Sequence, residues 1–373
     1  MKNSLHISLN QKINAFLLIV IVNACQIGVG IHGFQRVVYQ DAKQDAWIAV
    51  ILSFIYAHFV AFIMIKTLKM FQDQDLYGIH QMIFGKYFGN FLNSLYVLYC
   101  SFAFVSIIIN YKEVINTWVF PHLASSFLYI SLLIIVIYTF TGGFRIIIGI
   151  STINFLFTLA IPIILLVPLK YANINSLLPI LDNDMINLLK GVYSMTFTIA
   201  GFELINFIYP NVKEKSKVGK YVHIGLLTTL FVYLTTMLIA LTYFNGEQLN
   251  KLIWATLSML SMIKLPFFER IEILIICGWM IIILPNLCIY LWAAYRGVIR
   301  IKSISPNKFV WSFSIVIFIL TLFINTRSQI EMVNNIFSKI AFIIVFIYPF
   351  ILFIFALIKK LFTKRKVQND ETI

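Results

Sequence analysis

Runs of apolar residues, each close to the length of a membrane-spanning helix and separated by short polar intervals, make up most of the chain. A helix needs roughly 20 apolar residues to cross the hydrocarbon core of a bilayer. The pattern therefore predicts an all-α integral membrane protein with ten transmembrane helices. We predict these spans at residues 11–35, 45–67, 88–113, 122–141, 145–169, 186–209, 219–244, 268–298, 309–326 and 335–358.

Two other segments do not read as simple spans. Segment 252–265 is apolar but short, and Pro266 and several charged residues follow it. We expect a re-entrant or interfacial helix there, with an eleventh span as the alternative. The polar interval at about 66–90 is interrupted by apolar residues and predicts a short surface helix.

Two of the predicted spans are interrupted by glycine. Helix 1 carries Gly28 and Gly30, and helix 6 carries Gly201 beside the carboxylate of Glu203. Glycine weakens a helix and leaves backbone groups exposed. Broken helices at corresponding places in two halves of a chain are typical of inverted-repeat transporters. We therefore predict a five-plus-five inverted repeat of the LeuT-like kind, with breaks near 26–30 and 200–203.

The repeats define the predicted domain organisation. We expect one membrane domain over residues 1–373, with a first repeat at 1–170, a second repeat at 171–358 and a basic cytoplasmic tail at 359–373. The two halves share no sequence identity that we can see. This division therefore depends on hydropathy and on the positions of the breaks.

Composition agrees with a membrane protein and excludes a soluble one. The chain is 60% hydrophobic and 12% charged, with a mean hydropathy of +0.90. Soluble domains are nearer to 45–50% apolar and about 25% charged. The net charge of +14 would suggest nucleic acid as a partner in a soluble protein, but here the charges follow the loops.

The basic residues predict the orientation of the chain. With the N-terminus in the cytoplasm, the inner segments hold nineteen basic and five acidic residues, which accounts for the whole net charge of +14. This asymmetry follows the positive-inside rule. We expect both termini in the cytoplasm, with the basic run Lys359–Lys366 against anionic lipid.

The first candidate site is the break in helix 1, at Gly28, Val29 and Gly30. Unwound backbone at this depth is tolerated where it lines a cavity or is buried in protein. Free amides after the break would suit a ligand carboxylate. The alternative is a small-residue packing site between helices. Because helix 6 has a matching break, we favour the binding site.

The second candidate site is the break in helix 6, at Gly201, Phe202 and Glu203. A charged side chain at this depth costs roughly 2.5–3.5 kcal/mol on insertion scales, so it marks a functional candidate. Three roles for Glu203 stay open: contact with a ligand ammonium, a structural or gating anchor, or a proton carrier. Three tyrosines are further candidates against a core-packing alternative: Tyr96, Tyr99 and, after Pro285, Tyr290.

Several motifs that would indicate other functions are missing. Helix 8, from 268 to 301, contains no Ser or Thr, and helix 5 contains no internal Lys, so sodium coupling is not expected. The motifs HExxH, GxSxG and GxxxxGK[ST] are absent, so we do not expect an enzyme. The four cysteines have no CxxC spacing and the six histidines are scattered, so we expect neither a metal nor a cofactor.

Particular residues carry a resemblance to a known family. They are Gln26–Gly30 in helix 1, Gly201–Glu203 with Tyr209 and Pro210 in helix 6, Trp254–Ser258, and Pro266–Glu272 with Trp279. On these residues the chain resembles the B-subunit family of bacterial spore germinant receptors, the endospore germination permeases. That family belongs to the amino acid–polyamine–organocation transporter superfamily. Ala255 stands where the family more usually has proline.

The resemblance implies a fold, a location and partners. It implies ten helices in the five-plus-five arrangement, residence in the inner membrane of the spore, and assembly with an A subunit and a lipoprotein C subunit. It also implies that a nutrient such as an amino acid binds at the two breaks and triggers germination. The pocket would draw on both breaks, together with Tyr96 or Tyr99 and Tyr290.

Our leading hypothesis is therefore a nutrient-sensing subunit with a transporter fold. The first alternative is an amino acid permease, either uncoupled or proton-coupled. The second alternative is a membrane scaffold that holds the receptor subunits and binds no ligand.

Overall fold

A computed structural model describes residues 11–71, 74–263 and 270–370. Within these ranges the chain forms seventeen α-helices and no β-strand, which confirms the all-α prediction. The helices are α1 Leu17–Gln26, α2 Phe34–Ala42, α3 Ala46–Met70, α4 Leu76–Phe84, α5 Lys86–Trp118, α6 Ser125–Thr141, α7 Phe144–Ile164, α8 Met185–Ser194, α9 Thr196–Ile199, α10 Ile205–Ile208, α11 Val218–Tyr243, α12 Gly246–Lys251, α13 Ala255–Ser261, α14 Ile271–Ile301, α15 Pro306–Leu322, α16 Arg327–Ala341 and α17 Tyr348–Asp370.

Both predicted breaks are present. α1 and α2 are separated by Ile27, Gly28 and a 3₁₀ turn at Val29–His32. In the second broken span, the pieces Met185–Ile199 and Phe202–Asn211 meet at an angle of 53°. The first broken span is longer than predicted, because its helix continues to Ala42 rather than ending near residue 35.

The number of spans is consistent with ten. In the part of the chain that the structure describes, six helices are long and apolar enough to cross a membrane, and the bent pair makes a seventh. Three shorter apolar helices, α1, α6 and α15, can complete a set of ten. Length and composition alone do not assign these three, so the count of ten stays a prediction. α13 has seven residues and is too short to span a bilayer by itself.

Some predicted features lie outside the described residues. They are Pro266, the start of predicted helix 8 at residues 268 and 269, and the first ten residues. The described part of that helix, α14, ends at Ile301, three residues later than predicted.

The predicted surface helix at 66–90 corresponds to α4, but its first half is buried. Asp75 caps α4 by accepting the backbone N–H of Gly78 at 2.9 Å. The same carboxylate is ion-paired with Arg296 at 3.1 Å and Arg300 at 2.9 Å, both on α14. The start of the helix is therefore held inside the protein, because its capping carboxylate pairs with α14 rather than with water.

The last span contains a π-helical turn, Phe342–Ile347, between α16 and α17. Such turns are rare and often occur at functional sites. Two carbonyl oxygens of the turn accept tyrosine hydroxyls from other spans: Ile344 from Tyr96 at 3.3 Å, and Phe346 from Tyr56 at 2.9 Å.

The two broken spans run side by side through the centre of the protein. Near their ends the chain forms a bridge, in which Ile13 N–H donates to the Asn211 carbonyl at 2.9 Å and Lys213 N–H donates to the Ile13 carbonyl at 3.0 Å. α1 is packed between α11, α7 and α14. This arrangement brings the two breaks together.

Candidate functional site

The backbones of the two breaks are in direct contact. Gly201 has φ +127°, and a Cβ at this position would overlap the carbonyl oxygen of Cys25. Gln26 Nε2 donates to the Ile199 carbonyl at 2.7 Å, and the hydroxyl of Tyr233 donates to the Gln26 carbonyl at 2.9 Å. Only glycine combines this φ with so close an approach, which explains its place at the second break.

A small cavity lies where the breaks meet, and we call it the inner cavity. Its volume is about 50 Å³. At roughly 10–15 Å³ for each water, this is space for a few water molecules or a compact ligand. Among the described residues its lining contains no charged side chain and consists of Cys25, Gln26, Gly28, Val29, Gly30, Ala103, Ser106, Ile107, Asn110, Phe197, Thr198, Ala200, Asn286, Tyr290 and Phe337.

Two side-chain oxygens of this lining lack a hydrogen-bond donor among the described residues. They are Gln26 Oε1 and Asn286 Oδ1, on side chains that are 2% and 4% exposed. A Cβ on Gly28 would sit 3.1 Å from Asn286 Nδ2, so glycine leaves this end of the cavity open. An unsatisfied buried acceptor costs about 1–3 kcal/mol. The cavity therefore offers two acceptors to a ligand that carries N–H or O–H donors.

The helix 1 break adds donors to these acceptors. The N–H groups of Gly28, Val29 and Gly30 begin a new helical turn, so they have no acceptor within that turn. The inner cavity therefore combines backbone donors from the first break with side-chain acceptors from α1 and α14.

Glu203 lies outside the lining of the inner cavity and is 1% exposed. Its Oε1 accepts the hydroxyls of Tyr99 at 2.8 Å and Tyr290 at 3.1 Å, and its Oε2 accepts the backbone N–H of Gly201 at 2.6 Å. Both oxygens are thus occupied by groups of the protein. Of the three roles left open by the sequence, this geometry favours the structural anchor, which joins α5 and α14 to the second break.

The structure separates the sequence-predicted site residues into two groups. Gly28, Val29, Gly30 and Tyr290 line the inner cavity. The residues that do not line it are Gly201, Phe202, Glu203, Tyr96 and Tyr99. These five instead form the wall behind the cavity: Phe202 packs edge-on against Phe346 at 5.8 Å between ring centroids, and Tyr96 binds the π-helical turn.

Several residues that line the inner cavity were not among the site residues predicted from the sequence. Asn110 and Asn286 are amides inside apolar runs, and this polarity was the available signal. Ala103 and Phe337 gave no such signal, because small and aromatic residues are common throughout the apolar spans.

A second, larger cavity adjoins the first, and we call it the vestibule. Its volume is about 510 Å³, and α2, α8, α16 and the chain around Trp254 form its walls. It shares Val29, Gly30, Asn110, Phe197 and Thr198 with the inner cavity.

A thin closure separates the two cavities. Asn110 and Asn334 form a reciprocal amide pair with N···O distances of 2.7 and 2.9 Å. Beside it, Phe197 meets Phe337 edge-on at 5.8 Å between ring centroids. Ser106 Oγ also donates to Asn334 Oδ1 at 3.0 Å, so three hydrogen bonds and this ring contact join α5 and α9 to α16 at this level.

We call Trp254–Ser258 and Pro266–Glu272 with Trp279 the family block; its described part contacts the first break and the end of α5. Trp254 lines the vestibule, and the ring of Trp279 lies 4.2 Å from that of buried His32. Arg270 pairs with Glu272 at 2.9 Å and donates to the Trp118 carbonyl at 3.3 Å. The positions of the block from Pro266 to Glu269 lie outside the described residues.

The breaks, the bundle and the central cavity define a class of protein, a multi-pass membrane protein of the LeuT-like transporter fold. The structure of MhsT in complex with L-phenylalanine aligns with a TM-score of 0.58 over 94% of this chain and 99% of that one, at 14% identity. A mutant of the Eremococcus coleocola manganese transporter aligns with a TM-score of 0.58 over 93% and 86%, at 10% identity. Likeness at this identity shows the fold alone.

Sequence comparison then shows the family. The profile of the family described as spore germination protein matches residues 12–330. Spore germination protein GerQB of Bacillus cereus is 32% identical over 346 residues, which are 92% of this chain and 95% of that protein. Spore germination protein A2 of Bacillus subtilis (strain 168) is 25% identical over 369 residues, covering 95% and 98%. The chain belongs to the spore germination permease family, and it is a membrane protein without enzymatic function.

Proposed function

We propose that this chain is the nutrient-sensing subunit of a spore germinant receptor, and that a small nutrient such as an amino acid binds in the inner cavity. The observation that carries the proposal is the pair of unsatisfied amide oxygens, on Gln26 and Asn286, at the meeting point of two helix breaks. Membership of the spore germination permease family supplies the biological context.

The chemistry of the inner cavity suits a ligand that carries its own balancing charges. A ligand ammonium would donate to the oxygens of Gln26 and Asn286, and a carboxylate would accept from the N–H groups that follow Gly28. Because no charged side chain lines the cavity, a ligand with a net charge would have no counter-ion there, which is costly in a buried site. A compact zwitterion meets both conditions.

Binding would act by shifting a population between two states of the bundle. The closure formed by Asn110 and Asn334 lies between the vestibule and the inner cavity, so its opening and closing would admit and then enclose the nutrient. The shift can be no larger than the difference in ligand affinity between the two states.

The location and partners follow from the resemblance and the charge pattern. We propose that the chain lies in the inner membrane of the spore, with both termini in the cytoplasm, and assembles with an A subunit and a lipoprotein C subunit. The concentration of the net charge of +14 on one side supports the orientation.

The same cavities also fit a second function, an amino acid permease. Two cavities separated by a thin closure are what an alternating-access carrier needs. Uptake of labelled amino acid by liposomes that contain only this chain would support the permease, and nutrient binding without uptake would support the sensor.

Ala103→Leu tests the inner cavity more directly than a substitution such as Gly201→Val, because Gly201 does not line the cavity and its new side chain would collide with the Cys25 backbone. Ala103 is buried and lines only the inner cavity, so three added carbon atoms would occupy the ligand's space. Ser101→Leu on the same helix is the matched control, because Ser101 does not line the cavity.

The variants are compared in spores that lack the wild-type gene and as purified proteins. We expect Ala103→Leu to abolish the response to a defined nutrient and the thermal stabilisation by it, which is about 2.7 kcal/mol at 100 times the dissociation constant. Ser101→Leu should keep both. A folded Ala103→Leu protein that responds normally would refute the assignment of the inner cavity, and stabilisation of the wild type by no nutrient at all would favour the scaffold.

A further inference from the structure

The vestibule has the size of a ligand site in its own right. Its volume of about 510 Å³ falls within the range of about 300–1,000 Å³ that is usual for small-molecule pockets, whereas the inner cavity falls well below it. Aromatic rings supply much of its apolar wall, on Phe34, Tyr193, Phe197 and Trp254. A planar organic molecule larger than the inner cavity can hold has room here.

The charges of the vestibule are unbalanced toward positive. Four charged residues line it: Arg36, Arg327, Glu331 and Lys339. Arg327 is paired within the protein, because it donates to Glu113 at 2.7 Å and to Glu331 at 3.0 Å; with Glu113, which lies outside the lining, counted in, the net charge stays positive. Among the described residues, Arg36 and Lys339 have no acidic partner, and Arg36 Nε is buried without an acceptor.

The remaining polar groups of the vestibule do not cancel this charge. Gln40, Asn334, Asn335 and Ser338 are neutral. Ser194 donates its hydroxyl to Asp41 at 2.8 Å, and that aspartate lies outside the lining. The cavity thus combines the two cations without an acidic partner, Arg36 and Lys339, with several amides and an aromatic wall. This is the chemistry that recognises an aromatic or apolar carboxylate.

We propose that the vestibule is a second ligand site, which takes an organic carboxylate with a planar apolar body. The carboxylate is held by Arg36 of α2 and Lys339 of α16, and the body lies against Trp254 and Phe34. This site is distinct from the nutrient site in the inner cavity, and the proposal does not depend on the nutrient-sensing function.

The probe for this proposal is indole-3-propionate, with indole-3-propanamide as a neutral analogue of the same shape. Binding to the full-length protein in detergent micelles is measured by calorimetry. We expect the anion to bind, and the amide to bind at least about tenfold more weakly, which is the loss expected for a hydrogen bond to a charged group. Binding of the anion should weaken as salt is raised.

Substitutions then locate the binding. Arg36→Gln and Lys339→Gln should each weaken binding of the anion by about tenfold or more. Arg36→Lys should retain most of it, which separates loss of charge from loss of folding. Lys170→Gln is the matched control, an exposed cation outside the vestibule. Ala103→Leu should leave binding unchanged, because Ala103 lines only the inner cavity.

Three outcomes would overturn the proposal. One is failure of the anion to bind the wild type at millimolar concentration. Another is equal affinity for the anion and the amide. The third is loss of binding in Ala103→Leu with retention in Arg36→Gln, which would place the probe in the inner cavity. None of these results depends on a germination response, so failure here is distinguishable from failure of the sensor function.

Discussion

Removing the Glu203 carboxyl group should destabilise the protein in a graded way. Its two oxygens accept three hydrogen bonds, from Tyr99, Tyr290 and the backbone N–H of Gly201. Glu203→Ala removes every acceptor and leaves three buried donors unsatisfied. At about 1 kcal/mol each, the low end of the range for such groups, the loss is about 3 kcal/mol before any cavity is counted. Against a typical stability of about 5–15 kcal/mol this is large.

Glu203→Gln should cost much less. The glutamine oxygen can accept the Gly201 N–H, which cannot turn, while the amide NH₂ donates to the tyrosine oxygens, whose hydroxyls can rotate. We expect a loss of about 1 kcal/mol or less, and a similar one for Tyr99→Phe, which removes a single donor. Hydrogen bonds between transmembrane helices average about 0.6 kcal/mol in double-mutant cycles, which sets the lower end of these losses.

The assay pairs unfolding with binding. Free energies of unfolding are measured in mixed micelles of increasing SDS fraction, and nutrient affinity is measured on the folded protein. For an anchor, stability falls in the order wild type, Gln variant, Ala variant, while the affinity of folded Glu203→Gln stays within a few-fold of the wild type. The reasoning would be refuted if Glu203→Gln kept full stability and lost nutrient binding, because Glu203 would then be the ligand contact.

Three further predictions concern other positions. Gly201→Ala should yield no monodisperse protein in size-exclusion chromatography, since its φ of +127° and the Cys25 backbone both exclude a Cβ, whereas Gly143→Ala, with φ +89° and open space around it, should cost only about 1 kcal/mol of strain. Asn334→Ala should speed modification of Cys25 by a soluble thiol reagent by about tenfold, because the three hydrogen bonds that join Asn334 to α5 are lost. Glu214→Gln should lower the unfolding midpoint at neutral pH and have no effect in acid.

The sign of the Glu214 effect follows from its partner. The hydrogen bond from the Ala15 N–H, at 2.8 Å, lowers the pKa of this carboxyl below its ordinary value of 4.5. The stabilisation is therefore complete above pH 4.5 and disappears as the pH falls through the lowered pKa. Equal midpoints for Glu214→Gln and wild type at pH 7 would contradict this account.

Each of the other two predictions has its own contradicting result. A normal yield of monodisperse Gly201→Ala protein would mean that the two breaks can move apart at no cost. If Gly143→Ala also gave no monodisperse protein, the positive φ by itself would explain both losses. The thiol experiment uses a variant with Cys25 as its single cysteine. An unchanged rate in Asn334→Ala would show that the amide pair does not limit access to the inner cavity.

Hydropathy and glycine placement predicted the fold class and both breaks, because a bilayer imposes span length and a break needs residues that tolerate unusual backbone. Positive φ at Gly201 is the plainest case. The direction in which the Glu203 side chain points could not be predicted in the same way. A helical projection turns about 100° for each residue, and the 53° bend interrupts that rotation just before Glu203.

Partners that come from distant parts of the chain explain the other differences. Tyr96 and Tyr99 lie three residues apart on one face of α5, yet one binds the π-helical turn and the other binds Glu203. No feature of the apolar sequence at 342–347 predicts a π-helical turn. α4 was predicted at the surface because its neighbourhood is polar, but the arginines that bury Asp75 are more than 200 residues away on α14.

The π-helical turn at Phe342–Ile347 divides the last span into two regular helices. The helix before the turn, α16, carries Asn334 and Phe337 of the closure, and the helix after the turn is α17. Tyr56 and Tyr96 bind carbonyl oxygens of the turn from neighbouring spans, so the turn itself is fixed to the bundle at two points. A movement of α16 that opened the closure would therefore bend the span at this turn, and α17 would not have to move with it.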